Sequence, residues 1–250
     1  MVSLSHGPGF LLVPLVNQLI DVALQPGCKP YTLPLNDHSS LCMSSLTRDR
    51  IVATAARLFH QRGYAATGVA AILREAEVNS GSLYHYFSGK DDLLRSVLGW
   101  YAENLYPAIM QPLEQQQPDP VKRIFLLLDW YREFLHQRQC RMGCPVGNLA
   151  LEISDSHPHL RAEIHRNFEI WAELLTGWLE SAPEQFPPAT DFSALARFIL
   201  TVMEGGIMQA RAAGNIAPFD ESVHELRRYF DNLIGIQHWQ IQQAVTVNQD

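Results

Sequence analysis

A chain of 250 residues with 47 % hydrophobic and 18 % charged residues has the balance of a soluble folded protein, long enough for one large unit or two ordinary domains. Its formal net charge of −7 excludes a surface that is basic all round, so any nucleic-acid contact must sit on a local patch. Four cysteines (Cys28, Cys42, Cys140, Cys144) make no disulfide framework in so long a chain, which points to a reducing cytoplasm, and no apolar run reaches the ~18–20 residues of a membrane span.

Residues 1–42 differ from the rest. Prolines and glycines flank a short apolar piece, and the basic start of a signal peptide is missing. With Met43 following directly, the segment is expected to be a disordered or dispensable extension; the alternative is an arm that packs on the body or touches DNA.

From Thr47 onward the pattern is helical, with no convincing strand, so the chain is expected to be all-α. Thr47 is expected to cap a first helix carrying Ile51, Ala55, Leu58 and Phe59, which Gly63 closes. Thr67 is expected to cap a second helix through Ile72 and Leu73. After a tight turn at Ala76-Glu77-Val78, Asn79 caps a very short third helix ending near Tyr86. A fourth begins near Lys90 and is expected to stop before Pro107.

Two short helices joined by a tight turn and braced by a first helix make a helix-turn-helix unit, whose second helix enters the major groove of DNA. The third helix has the side chains for that task. Leu83 and Phe87, four apart, hold it to the core. Ser80, Gly81 and Ser82 permit close approach to base edges, and His85 reaches further. Tyr84 and Tyr86 can hydrogen-bond phosphates while their rings pack sideways. Lys90 and Thr67 stand at helix starts, where unpaired N–H groups attract an anion. Charge agrees: residues 43–100 carry a net +2, residues 1–42 carry −1 and the remainder −8.

These residues carry a resemblance. Gly63-Tyr64, Thr67, Ile72, Ala76, Val78, Gly81, Leu83-Tyr84, Tyr86-Phe87, Lys90-Asp91 and Leu93 resemble the DNA-binding head of the TetR/AcrR family of bacterial repressors. Three positions depart from that pattern. Glu77 stands at a usual turn glycine, where a positive φ would strain it; Leu73 replaces an alanine; Gly68 replaces a hydroxyl or longer residue. The resemblance implies a homodimer on double-stranded DNA with a helical C-terminal domain that senses a small molecule. The expected partition is residues 43–93 for the head, 94–242 for ligand binding and dimerisation, and 243–250 for a tail.

In the second part, Asp119-Pro120 starts a helix with Ile124, Leu127, Leu128, Tyr131 and Leu135 on one face. Pro158 opens another with Leu160, Ile164, Phe168, Trp171, Leu175 and Trp178. Segments 191–214 and 219–242 are apolar at helical spacing and form the candidate dimer face. Leu195, Phe198, Val202 and the pair Gly205-Gly206 lie on the first, and Leu226, Phe230 and Leu233 on the second. Candidate ligand residues are Trp130, Tyr131, Phe134 and Trp171, joined by Asn148, Phe168 and Met203. Many rings and few fixed charges imply a flat or apolar effector.

Cys144, before Pro145 at a helix start, joins them. It is either a thiol activated by helix N–H groups and Arg141, reacting with an electrophile, or a small buried hydrophobe. A metal reading of His136, Cys140 and Cys144 lacks a fourth ligand, so neither metal nor cofactor is implied. With no phosphate loop, nucleophile elbow or paired carboxylates, an enzyme is not expected. The reading is a cytoplasmic, ligand-responsive repressor that binds a pseudo-palindromic operator; the alternative is a helical protein-interaction module without DNA binding.

Overall fold

The structure, a computed structural model, describes residues 39–247, with side chains described for residues 47–235. The expected extension therefore lies outside the described residues up to position 38. Among the described residues every regular element is helical, and no helix is long and apolar enough to cross a membrane.

Helix α1 runs Ser39–Arg62. It begins before Met43, and Thr47 lies inside it rather than capping it. Its buried stripe is Ile51, Val52, Ala55, Ala56, Leu58 and Phe59. Gly63 ends it with φ +86, its N–H donated to the Phe59 carbonyl at 2.9 Å.

Helix α2, Val69–Ala76, starts at Gly68, which makes no side-chain cap. Thr67 is fully buried instead. Its hydroxyl lies 2.7 Å from the Gly63 carbonyl and 3.2 Å from that of Leu58, so it ties the loop to α1. The expected N-cap at Thr67 is thus one residue early, because these backbone acceptors take its hydroxyl.

Glu77 follows in the left-handed region at φ 54, and the Val78 N–H closes onto the Leu73 carbonyl at 3.1 Å. A side chain in that conformation costs about 1–2 kcal/mol. The turn therefore carries the strain that a non-glycine residue there implies.

Helix α3, Ser80–Tyr86, is capped by Asn79, whose side chain accepts the Ser82 N–H at 2.8 Å. Helix α4, Lys90–Trp100, buries Leu93, Leu94, Val97 and Leu98. The chain then widens into one π-helical turn, Tyr101–Leu105, and continues as α5, Tyr106–Gln116. The expected stop before Pro107 does not occur. Proline removes one N–H and its ring presses on the carbonyl four residues back. The wide turn, closed by the Tyr106 N–H on the Tyr101 carbonyl, accommodates both.

Helix α6, Pro120–Gln137, has Asp119 as its cap, accepting the Lys122 N–H at 3.0 Å. Helix α7, Pro145–Ile153, follows Cys144. A single 3₁₀ turn, Pro158–Leu160, leads into α8, Arg161–Glu180. Helix α9, Phe192–Ala213, is capped by Asp191 and ends at Gly214 with φ 67. Helix α10 runs Ala217–Val247, into the expected tail.

Packing divides the described residues into two compact units, those up to 110 with 144–168, and 111–143 with those from 169 onward. This division by packing is distinct from the functional partition at residue 93 expected from the sequence. In the first unit α1 packs on α2, α3 and α4. Tyr106 donates its hydroxyl to Asn167 Oδ1 at 2.7 Å, satisfying two otherwise buried polar groups. In the second unit α9 and α10 form an antiparallel pair: they pack along each other across the short turn at Gly214. Arg132 of α6 grips Asp220 of α10 through two hydrogen bonds of 2.7 and 2.9 Å. Phe125 and Phe230 meet edge to face between the same helices, at 5.6 Å.

Candidate nucleic-acid interface

Helix α3 is held from below and open above. Leu83 and Phe87 are 0 % and 2 % exposed, whereas Tyr84 is 61 % exposed. Ser80, Gly81 and His85 are exposed as well, and Ser82 and Tyr86 are half-buried. His85 stands edge-on to Tyr86 at 4.8 Å. A seven-residue helix cannot persist in water by propensity alone. Its persistence comes from the Asn79 cap and the two buried anchors.

Two expected roles change in detail. A Cβ at Gly81 would lie 3.2 Å from the Asn79 carboxamide oxygen, so this glycine also makes room for the cap. The Ser82 hydroxyl is 3.1 Å from that same oxygen and helps to hold it. Thr67, being buried, presents no hydroxyl to solvent.

Lys90 is also drawn inward. Its ammonium donates to the Tyr64 carbonyl at 2.5 Å and lies 4.0 Å over the Tyr64 ring. Burial lowers its pKa below the usual lysine value, against the pull of Glu152 and Asp91.

Around this face the charges are organised in pairs. Glu75 of α2 receives Arg57 at 2.6 Å and Arg62 at 2.8 Å, both from α1. The hydrogen bond from Arg57, followed by that from Arg62, keeps the Glu75 carboxyl below the usual range. This locks α2 against α1 and sets the angle at which α3 is presented.

A second cluster escaped sequence reasoning. Glu152 of α7 accepts the backbone N–H groups of Tyr64 at 2.9 Å and Ala65 at 2.8 Å. Asp91 of α4 accepts the Tyr64 hydroxyl, and its other oxygen meets His159 Nε2 at 2.6 Å. The hydrogen bond from Tyr64, then that from His159, holds Asp91 below the ordinary carboxylate range. No local signal marks these partners, because Glu152 and Tyr64 are far apart in the chain.

The ligand candidates fall in both units. In the second, Trp130 stacks on Phe134 at 5.7 Å and meets Tyr131 at 4.8 Å, and Tyr131 meets Trp171 at 6.1 Å. All four rings are buried, as is Met203, and the Trp130 indole N–H has no hydrogen-bond partner among the described residues. Cys144, Asn148 and Phe168 belong to the first unit. Cys144 is 7 % exposed, and its sulfur accepts the Gly147 N–H at 3.4 Å as the cap of α7. Asn148 and Phe168 are half-buried.

The dimer candidates separate by side. Leu195, Gly206, Leu226 and Phe230 are buried within the chain. A Cβ at Gly206 would meet the Phe219 ring at 3.0 Å, so this glycine serves the contact of α9 with α10. Phe198 is 42 % exposed, while Val202, Gly205 and Leu233 are half-buried. Phe198 pairs with the exposed Tyr229 at 5.3 Å, and Met208 extends the same outward stripe along α9.

Comparison with known proteins agrees with this arrangement. Residues 51–97 match the bacterial regulatory proteins of the tetR family, and residues 120–225 match the C-terminal domain of LmrA/YxaF-like transcriptional regulators. The HTH-type transcriptional regulator YxaF of Bacillus subtilis is 31 % identical, over 65 % of this chain and 83 % of its own length. The transcriptional repressor DhaR of Mycobacterium sp. (strain GP1) is 28 % identical, over 70 % and 87 %. Among solved structures, a TetR transcriptional regulator from Chloroflexus aurantiacus superposes with a TM-score of 0.64 at 28 % identity, over 75 % of this chain and 96 % of that one. The reduced form of E. coli NemR gives 0.62 at 25 %, over 75 % and 97 %.

Proposed function

The chain belongs to the TetR family of bacterial regulatory proteins, transcription regulators rather than enzymes, and from that premise we propose a ligand-responsive homodimeric repressor acting on a pseudo-palindromic operator in the cytoplasm. The observation that carries the reading is helix α3: two buried anchors beneath, and a polar outer face of Ser80, Tyr84 and His85 above. Ser80, Ser82 and His85 are assigned to base edges. Tyr84, Tyr86 and the two ammonium donors of Lys90 not given to Tyr64 are assigned to phosphates. Gly81 lets the helix backbone come close, and Thr67 acts from inside by fixing the start of α2.

Titration of the purified protein with DNA flanking its own gene tests this. Binding is expected to be specific and to weaken steeply with salt. His85→Ala is expected to cost about 1–3 kcal/mol at one base pair per half-site and to relax the preference there. Failure of the wild type to retain any such DNA would leave the alternative, a helical interaction module.

The aromatic cluster of α6 and α8 supports a planar, apolar effector, and the lone indole N–H of Trp130 adds a donor for one acceptor on it. The position of Cys144 at the start of α7 favours a second reading, covalent capture of an electrophile. The two part on substitution. For a reversible ligand, Trp171→Ala abolishes release from DNA and Cys144→Ser leaves it intact; the opposite pattern overturns that reading.

A further inference from the structure

Tyr64 is gripped from three directions within the first unit. Glu152 accepts its N–H, Lys90 donates to its carbonyl, and Asp91, itself held by His159, accepts its hydroxyl. His157 adds an edge-to-face contact with its ring at 5.3 Å. Glu152, His157 and His159 all come from the segment of α7 and the turn after it, so one stretch of chain outside the helix-turn-helix holds the loop that precedes α2.

The fit is close. A single carboxylate spans two successive N–H groups, and a Cβ at Gly63 would lie 3.0 Å from both of its oxygens. Backbone N–H groups given to a carboxylate are charge-assisted donors, roughly twice as strong as neutral pairs. The loop they fix is short. It runs from Gly63 through the buried Thr67 to Gly68, where α2 begins. Glu152 thus bears directly on the loop that leads into α2, and α2 is joined to α3 by the tight turn at Glu77.

We propose that Glu152 is a positioning residue for DNA reading: it sets the Tyr64–Gly68 loop, and helix α7 acts through it on the recognition helix. The proposal rests on the DNA-binding reading given above. It makes α7, which Cys144 caps, the element whose shift the head feels.

The test compares wild type, Glu152→Ala and Glu152→Gln in operator titrations, at a temperature where each is fully folded by its thermal transition. Hydrogen exchange is followed at the Tyr64 and Ala65 amides. Glu152→Ala is expected to lower operator affinity about ten-fold, the scale of one lost charge-assisted hydrogen bond. Exchange should quicken at those two amides and stay unchanged at Phe87, which bonds to Leu83 within the recognition unit.

Glu152→Gln keeps the volume and one acceptor, and is expected to recover part of the loss. A merely structural role would lower the thermal midpoint and leave the folded variant's affinity intact, which would overturn the proposal. Should Glu152→Ala not fold, Glu152→Gln decides, and an affinity equal to wild type together with unchanged exchange at the Tyr64 and Ala65 amides refutes it. Loss of DNA binding by the wild type itself would instead defeat the underlying reading.

Discussion

Phe198→Glu combined with Tyr229→Glu is expected to yield a folded monomer that has lost about 100-fold or more of its operator affinity. The two rings are 42 % and 44 % exposed and meet each other at 5.3 Å on the outer side of α9 and α10. Met208 continues the stripe at 53 % exposure. A row of large apolar side chains at helical spacing on an outer face marks an interaction site. On the proposed reading its occupant is the same face of a second copy, since a symmetric reader of a palindrome needs a symmetric interface.

Two carboxylates there repel their counterparts across a two-fold axis, while the inward side chains Leu195, Ile199, Leu226 and Phe230 are untouched. The affinity loss follows because each head then binds its half-site alone. Sedimentation gives the oligomeric state and anisotropy the affinity. A variant that stays dimeric would remove this face as the interface.

Leu83→Ala carries the second large effect. Leu83 is fully buried on a seven-residue helix whose only other apolar anchor is Phe87. Truncating such a side chain costs about 2–5 kcal/mol, from lost burial and from the cavity left behind. The helix is too short to form without it, so operator binding is expected to vanish together with a fall in the thermal midpoint. Tyr84→Ala, on the neighbouring exposed residue, is the control. It should change stability by no more than about 0.5 kcal/mol. A wild-type midpoint for Leu83→Ala would show that α3 is not seated as described.

What was legible in the sequence were the features written in consecutive residues. Asn79 caps the helix that follows it, Asp119-Pro120 and Pro145 open theirs, Gly63 closes α1, and the apolar segment 191–214 coincides with α9. Each of the end signals acts within one helical turn. The buried faces of α6 and α8 were also readable, because periodicity decides them.

Legibility failed where a distant group takes over. Thr67 has the chemistry of a cap, yet the carbonyls of Leu58 and Gly63 claim its hydroxyl. Pro107 has the chemistry of a stop, yet a π turn carries the chain past it. Gly205 and Gly206 look alike, yet only Gly206 lies against Phe219. Lys90 was read for its charge, whereas its ammonium is shared with the Tyr64 carbonyl. The Glu152 clamp was invisible, because a carboxylate aimed at backbone N–H groups imposes no residue type on Tyr64 or Ala65.

It does impose one on Gly63. That residue answers to two demands, a left-handed φ and a space already filled by the Glu152 carboxylate. The first demand is local, and asparagine can meet it. The second exists only while an acid occupies position 152. The two positions are therefore linked in inheritance. A side chain placed at 63 while the acid remains pushes the carboxylate a few tenths of an ångström from the Tyr64 and Ala65 amides, and a shorter residue 152 eases that crowding.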